Sequence, residues 1–236
     1  MRALRITLIV LLVLGGLFVA ADRLAVNYVE GRLAEEAKSA RGAQEAEVSV
    51  RGFPFLTQVA SRELDAVDVT LGGVTARSGS RSLQVSEFEI QARRIALSES
   101  FTSAVAQTAT GTAHVTYADL SAAAEEDVTI SYGGPAEGGG ASTVKVTGSA
   151  RVPGLDRTVE ASTTSTLTVE DGDTIRLHAD EVPGEGIPGV EELIRQRIDF
   201  TRQIDGLPAG VRLTGIEATE DGVDVRFAGE RISVTG

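Results

Sequence analysis

From Glu45 to the C-terminal end, the hydrophobic residues of this chain recur at every second position, and that period constrains the fold more than any other feature. Val48 and Val50 alternate with Ser49 and Arg51. Val67, Val69 and Leu71 alternate with Asp68 and Thr70. Ala113, Val115 and Tyr117, then Val128, Ile130 and Tyr132, then Val223, Val225 and Phe227 repeat the pattern. A period of two puts the apolar side chains on one face of a strand. Turn signals such as Asp171-Gly172 and Asp221-Gly222 separate the runs, so about nine or ten strands joined as hairpins are predicted.

Two stretches break the period. Asp22 to Arg41 carries Val26, Val29, Leu33 and Ala37 at helical spacing, with Gly42 as its stop. A second helix is predicted from Pro188, with Val190, Leu193, Ile194 and Ile198 on one side and Glu191 and Glu192 in its first turn. A short helical stretch, 118–124, follows Tyr117. The fold class is therefore α+β with an antiparallel meander. Three local features refine it. Gly72-Gly73 ends or bends a strand. Leu83 and Val85 have one parity and Phe88, Ile90 and Ala92 the other, which predicts a bulge between them. Gly133 to Gly140 reads as a flexible connection.

The N-terminus is of a different kind. Arg2 and Arg5 precede an uncharged run, Ile6 to Ala21, of 16 residues. As a helix this spans roughly 24 Å, short of the ~20 residues of a comfortable membrane crossing. With Val19-Ala20-Ala21 at its end, it fits an export signal cut after Ala21. It equally fits a retained anchor with Arg23 at the outer face. Either reading leaves Arg2 and Arg5 inside and sends the rest out of the cytoplasm, to the cell envelope. The expected division is a signal or anchor over 1–21 and a single domain over 22–236.

Charge and inventory exclude several functions. Lys and Arg number 22 against 34 Asp and Glu, a net charge of −12, which disfavours nucleic acid. Residues 1–94 hold 12 basic and 11 acidic residues, so the acidity lies almost wholly in the remainder. The near-neutral part carries the leader and Arg93-Arg94 and is the part suited to face a membrane. No Cys and only two His are present, which removes thiolate metal sites and leaves little for His-based catalysis. His114 and His178 alternate out of phase with their apolar neighbours, and no Gly-x-Ser-x-Gly elbow accompanies them. No metal, cofactor or catalytic set is expected, and the chain is read as a non-enzyme. Aromatics are 4%, too few for an obvious stacking platform.

Several segments resemble the actinobacterial LmeA family of phospholipid-binding cell-envelope proteins. They are the leader with the first helix, the block Arg51-Gly52-Phe53-Pro54-Phe55-Leu56-Thr57-Gln58-Val59, and Leu64-Asp65-Ala66-Val67-Asp68-Val69. Near the end they are Leu207-Pro208-Ala209-Gly210-Val211, Asp221-Gly222-Val223-Asp224-Val225 and Gly229. The resemblance implies an elongated, strongly curved antiparallel sheet wrapped around one or two helices, similar to tubular lipid-binding proteins. It also implies an apolar groove for a phospholipid, and a link to envelope glycolipid maintenance that need not carry over.

The candidate site follows from both readings. Phe53, Phe55 and Leu56 surround Pro54, which removes a backbone donor and keeps the segment out of an inner strand. They form either an apolar lip at a groove mouth or a plug at one end of the core. Val67, Val69, Leu71, Leu83 and Val85 are candidate lining or simple core. Arg51, Arg62, Arg93 and Arg94 are candidate partners of a phospholipid headgroup, anionic lipids included, or a solvated face. A membrane-tethered interaction domain with a filled core is the competing reading, since alternation is common to filled and hollow sheets.

Overall fold

The computed structural model describes residues 2–78, 81–124, 128–135, 142–152, 157–179, 200–204 and 207–235. The leader and the first helix are one continuous helix, α1 (Arg2–Arg41). Nothing between Val19 and Val26 breaks it, because Ala20, Ala21, Asp22, Arg23 and Leu24 include neither Gly nor Pro. Gly42, with φ 62°, stops it.

The strands then run in chain order: β1 (Glu45–Arg51), β2 (Glu63–Ser78), β3 (Arg81–Leu97) and β4 (Ser103–Thr116), followed by β5 (Val128–Pro135), β6 (Ser142–Val152), β7 (Arg157–Glu170) and β8 (Thr174–Ala179), and last β9 (Phe200–Gln203), β10 (Val211–Ala218) and β11 (Gly222–Thr235). Two short helices interrupt them, α2 (Phe55–Ser61) and α3 (Tyr117–Ala123). The class is α+β, and among the described residues every strand pair is antiparallel. The strands divide between two open sheets, one of order β1-β2-β3-β4-β11-β10 and one of order β5-β6-β7-β8-β9.

Three expectations change in detail. The β2–β3 register is the same on both sides of residues 85–88, but the 73–86 pair drops out of it where Gly73 takes left-handed backbone, so the irregularity expected between Val85 and Phe88 lies at that pair. Gly73, with φ 63°, bends β2 without ending it. Register shifts occur elsewhere, between Leu213 and Gly215 and between Tyr132 and Gly134. Gly133 to Pro135 belong to β5, while the rest of the expected connection, 136–140, lies outside the described residues. The helix expected from Pro188 to Ile198 also lies outside them.

Helix α2 was not expected. Phe53–Pro54 is a cis peptide, and Pro54 occupies the position before the helix without a side-chain cap of its own. The cap comes from α1. The Asp22 carboxylate, fully buried, accepts the Leu56 backbone N–H at 2.8 Å, satisfying one of the orphan donors of a helix start.

Two apolar clusters hold the fold. One joins Val26 of α1 to Val50 and Phe55, with Val29, Leu56, Val59 and Val67 against it. The other joins Val144, Val146, Leu167 and Leu177 of the five-stranded sheet to Ala218 and Val223 of the six-stranded one, with Tyr117 and Leu120 of α3. The Leu213 N–H bonds the Gly172 carbonyl at 2.7 Å and ties the two sheets together.

A candidate lipid-binding face on the six-stranded sheet

Between those clusters runs one apolar face. Paired residues in antiparallel strands share a side, so the registers can be followed across the sheet. Val48 pairs with Val69, Val69 with Ile90, Ile90 with Gly111 and Gly111 with Phe227. The row beside it runs from Ala46 through Leu71, Phe88 and Ala113 to Val225 and Ile216. On the other side lie Val50, Val67, Ala92, Ala109 and Gly229. No charged residue stands in these three rows.

The centre of the face is its least covered part. Val48, Val50 and Leu71 are buried at the β1 side, and Leu213 at the far edge. Val67, Val69, Phe88, Ile90, Val225 and Phe227 are only half-buried. Strand β4 contributes small residues there, Ala109, Gly111 and Ala113. Phe88 and Phe227 lean toward each other over that strip and stack with centroids 5.1 Å apart and planes 17° from parallel. A Cβ at Gly111 would overlap both the Phe227 ring and the Glu89 carbonyl oxygen. Glycine here serves a close approach rather than a turn.

The face continues past a row where alternation should have ended it. Arg94 and Arg231 flank Gln107 on the two neighbouring strands, and both take left-handed backbone, with φ 50° and 51°. A Cβ at Gly229 would meet Ile232 Cδ1. Ile232 therefore covers the same side as Gly229, although it stands three residues on and a regular strand would turn it away.

The sequence candidates separate accordingly. Val67, Val69 and Leu71 lie on this face. Val85, buried, and Leu83, half-buried, lie beyond the dropped 73–86 pair, where they pair with Val74 and Ala76. Phe55 is buried in the α1–α2 cluster, and Leu56 is half-buried beside it. Phe53 is exposed, with the Arg23 guanidinium 4.9 Å from its ring centroid. Arg51 pairs with Asp68 at 2.7 Å, and Arg62 with Glu99 at 3.3 Å. Arg93 and Arg94 are exposed and have no ion pair among the described residues. Sequence reading missed the Phe88–Phe227 stack and Ile90 as neighbours of one another. The signal that pointed there was Gly111, an isolated glycine within a strand.

The model of the LmeA-like phospholipid-binding family matches residues 20–228. The chain belongs to that family. Searches of curated proteins and of solved structures gave no match. The LmeA-like match begins at Ala20 and runs through the last turn of the sheet, so it takes in both clusters and all of the open face short of Gly229 and Ile232.

His114 Nδ1 lies 2.6 Å from Asp224 Oδ1, on the side of β4 and β11 opposite to Phe227. Among the described residues, no hydroxyl hydrogen-bonds to this pair. His178 is exposed on β8. The Tyr117 hydroxyl donates to the Thr219 carbonyl at 2.6 Å. Burial, with the charges of Tyr132 and Asp224 adding to it, pushes its pKa up to about 12. Among the described residues, no three His, Asp or Glu side chains stand together as a metal site. A cleft of about 340 Å³ lies at the α3 end, lined by Gln44, Glu45, Gly72, Gly73, Gln84, Ser86 and Asp119. Its walls are polar, unlike the face beside it.

Proposed function

We propose that this chain is an exported envelope protein that holds phospholipid acyl chains against the open centre of its six-stranded sheet. Membership of a phospholipid-binding family supports the ligand. The half-covered strip of Val69, Ile90, Phe88 and Phe227 over the small residues of β4 is the observation that carries the site. Each methylene removed from water there contributes roughly 0.8 kcal/mol, so an acyl chain needs no polar recognition along its length. Headgroup contacts fall to cations not already neutralised, which favours Arg93 and Arg94 over Arg51 and Arg62. Lipid transfer between membranes and envelope glycolipid maintenance are uses to which such a carrier would be suited.

Native mass spectrometry of the full chain, made in an exporting host, tests the reading. The protein is expected to carry phospholipid masses, and Ile90→Asp is expected to lower that occupancy severalfold. Protein that is lipid-free and takes up no phospholipid from vesicles would overturn it.

A further inference from the structure

Among the described residues beyond position 20, the exposed large hydrophobic side chains are Leu24, Tyr28, Leu33, Phe53, Phe101, Tyr132 and Val234. Five of these seven gather at one end of the six-stranded sheet. Phe53 enters α2 beside the start of β2. The Leu97 N–H bonds the Arg62 carbonyl and brings the end of β3 to the end of α2. Phe101 caps the turn from β3 to β4. Val234 pairs with Ala104 on the strand leaving that turn. The turn is built to present its ring: Ser98 and Ser103 bond backbone to backbone, and the Phe101 N–H bonds the Ser98 carbonyl. Phe101 takes φ 57°, a conformation uncommon for a bulky residue.

Helix α1 points the same way. The Glu30 carboxylate accepts the Val50 N–H at 2.7 Å, and the Gln44 N–H bonds the Gly72 carbonyl, so α1 runs along β1 toward α2. Val26 and Asp22 face the domain, and Leu24 and Tyr28 stand on the opposite side of the helix. The uncharged run then projects past α2; the helix from Leu4 is long and apolar enough to cross a membrane, and its apolar stretch is covered by no protein. The charges that end that run are paired inward. Asp22 is fully buried on Leu56 N–H and bonds Arg23 at 2.9 Å, and Arg23 in turn lies over Phe53.

We propose that α1 is retained as an anchor and that this end of the sheet, through Phe53, Phe101 and Val234 with Leu24 and Tyr28, rests in the interface of a phospholipid bilayer. The occupant is set by continuity. The apolar side chains extend the surface of the membrane helix itself, and Asp22 fixes α2 to that helix within a residue of where the uncharged run ends. Aromatic and aliphatic residues at this depth suit the headgroup boundary. The inference goes beyond lipid carriage, because it concerns where the domain sits and not what its open face holds.

The chain has no Trp, so single Trp reporters read the contact. Full-length Phe53→Trp, Phe101→Trp and Tyr132→Trp variants are reconstituted in vesicles of phosphatidylcholine and phosphatidylglycerol with brominated acyl chains. Tyr132, on the five-stranded sheet, is the control. Emission from both residue 53 and residue 101 is expected to be quenched at least about twofold relative to residue 132 and shifted to the blue. Equal quenching at all three positions, or quenching at 53 but not at 101, would overturn the docked sheet end. Lipid occupancy by native mass spectrometry is scored separately, so failure of the docking leaves the acyl-chain reading standing.

Discussion

Phe227 lies over Gly111, and that contact brings its ring to within 5.1 Å of the Phe88 centroid across the width of β4. The two strands that carry the rings are not neighbours. They meet above β4 because β4 offers only Ala109, Gly111 and Ala113 beneath them.

Gly111→Ala is the direct probe of that relationship. Its Cβ meets backbone at Glu89 as well as the ring, so relaxation of one side chain does not relieve it. The expected cost is about 1–3 kcal/mol, read from denaturant midpoints at unchanged slope. Adding Phe227→Leu to Gly111→Ala is expected to recover only part of it. Full recovery would place the whole clash on the ring, and no loss at all would deny the close approach.

The capping of α2 by Asp22 gives a second prediction. Asp22→Ala leaves the Leu56 N–H buried without its acceptor, at a cost of about 1–3 kcal/mol. Asp22→Asn keeps an acceptor oxygen and is expected to lose much less. Thermal unfolding of both variants, with limited proteolysis across 52–62, checks the order. Equal losses would mean that charge, not the cap, matters there.

Tyr117 supplies a pH prediction. Its pKa is raised in the folded state to about 12, against an ordinary value near 10. The unfolded chain therefore loses this proton first. Stability from this group is full below pH 10 and declines as pH rises toward 12. Tyr117→Phe removes the bond to Thr219 and is expected to lower stability by about 1 kcal/mol at neutral pH. It should also make the alkaline decline shallower. An unchanged alkaline limb would assign that decline to other groups.

Arg93→Glu with Arg94→Glu tests the headgroup assignment. Binding to vesicles containing an anionic lipid is expected to weaken and to lose its salt dependence, while the unfolding free energy stays within about 0.5 kcal/mol, as for other surface changes. Arg51→Glu, which breaks an existing pair with Asp68, serves as the comparison and is expected to affect lipid binding less. Equal effects from the two would remove the distinction drawn between free and paired arginines.

What the sequence disclosed was whatever depends on local period. The alternation of Val67, Val69 and Leu71 placed them on one strand face, and Gly42 marked the end of α1. How the side chains of Leu83 and Val85 continue from Phe88 could not be read from alternation within one strand. The pairing with β2, where Gly73 takes left-handed backbone, sets it, and that is a property of partners. Helix α2 was hidden for the same reason, since its cap, Asp22, stands 34 residues earlier in the chain. The left-handed Arg94 and Arg231 could not be read either, because Arg carries no signal for that backbone and the need arises from keeping Ile232 beside Gly229.

The acyl-chain site is tested most directly by a phospholipid carrying a photoreactive diazirine midway along one acyl chain. The full-length protein is loaded with it, illuminated and sequenced for adducts. The labels are expected on Val69, Phe88, Ile90, Val225 or Phe227. Labels confined to the side of His114 and Asp224, or spread evenly over both faces of the sheet, would contradict the site described above.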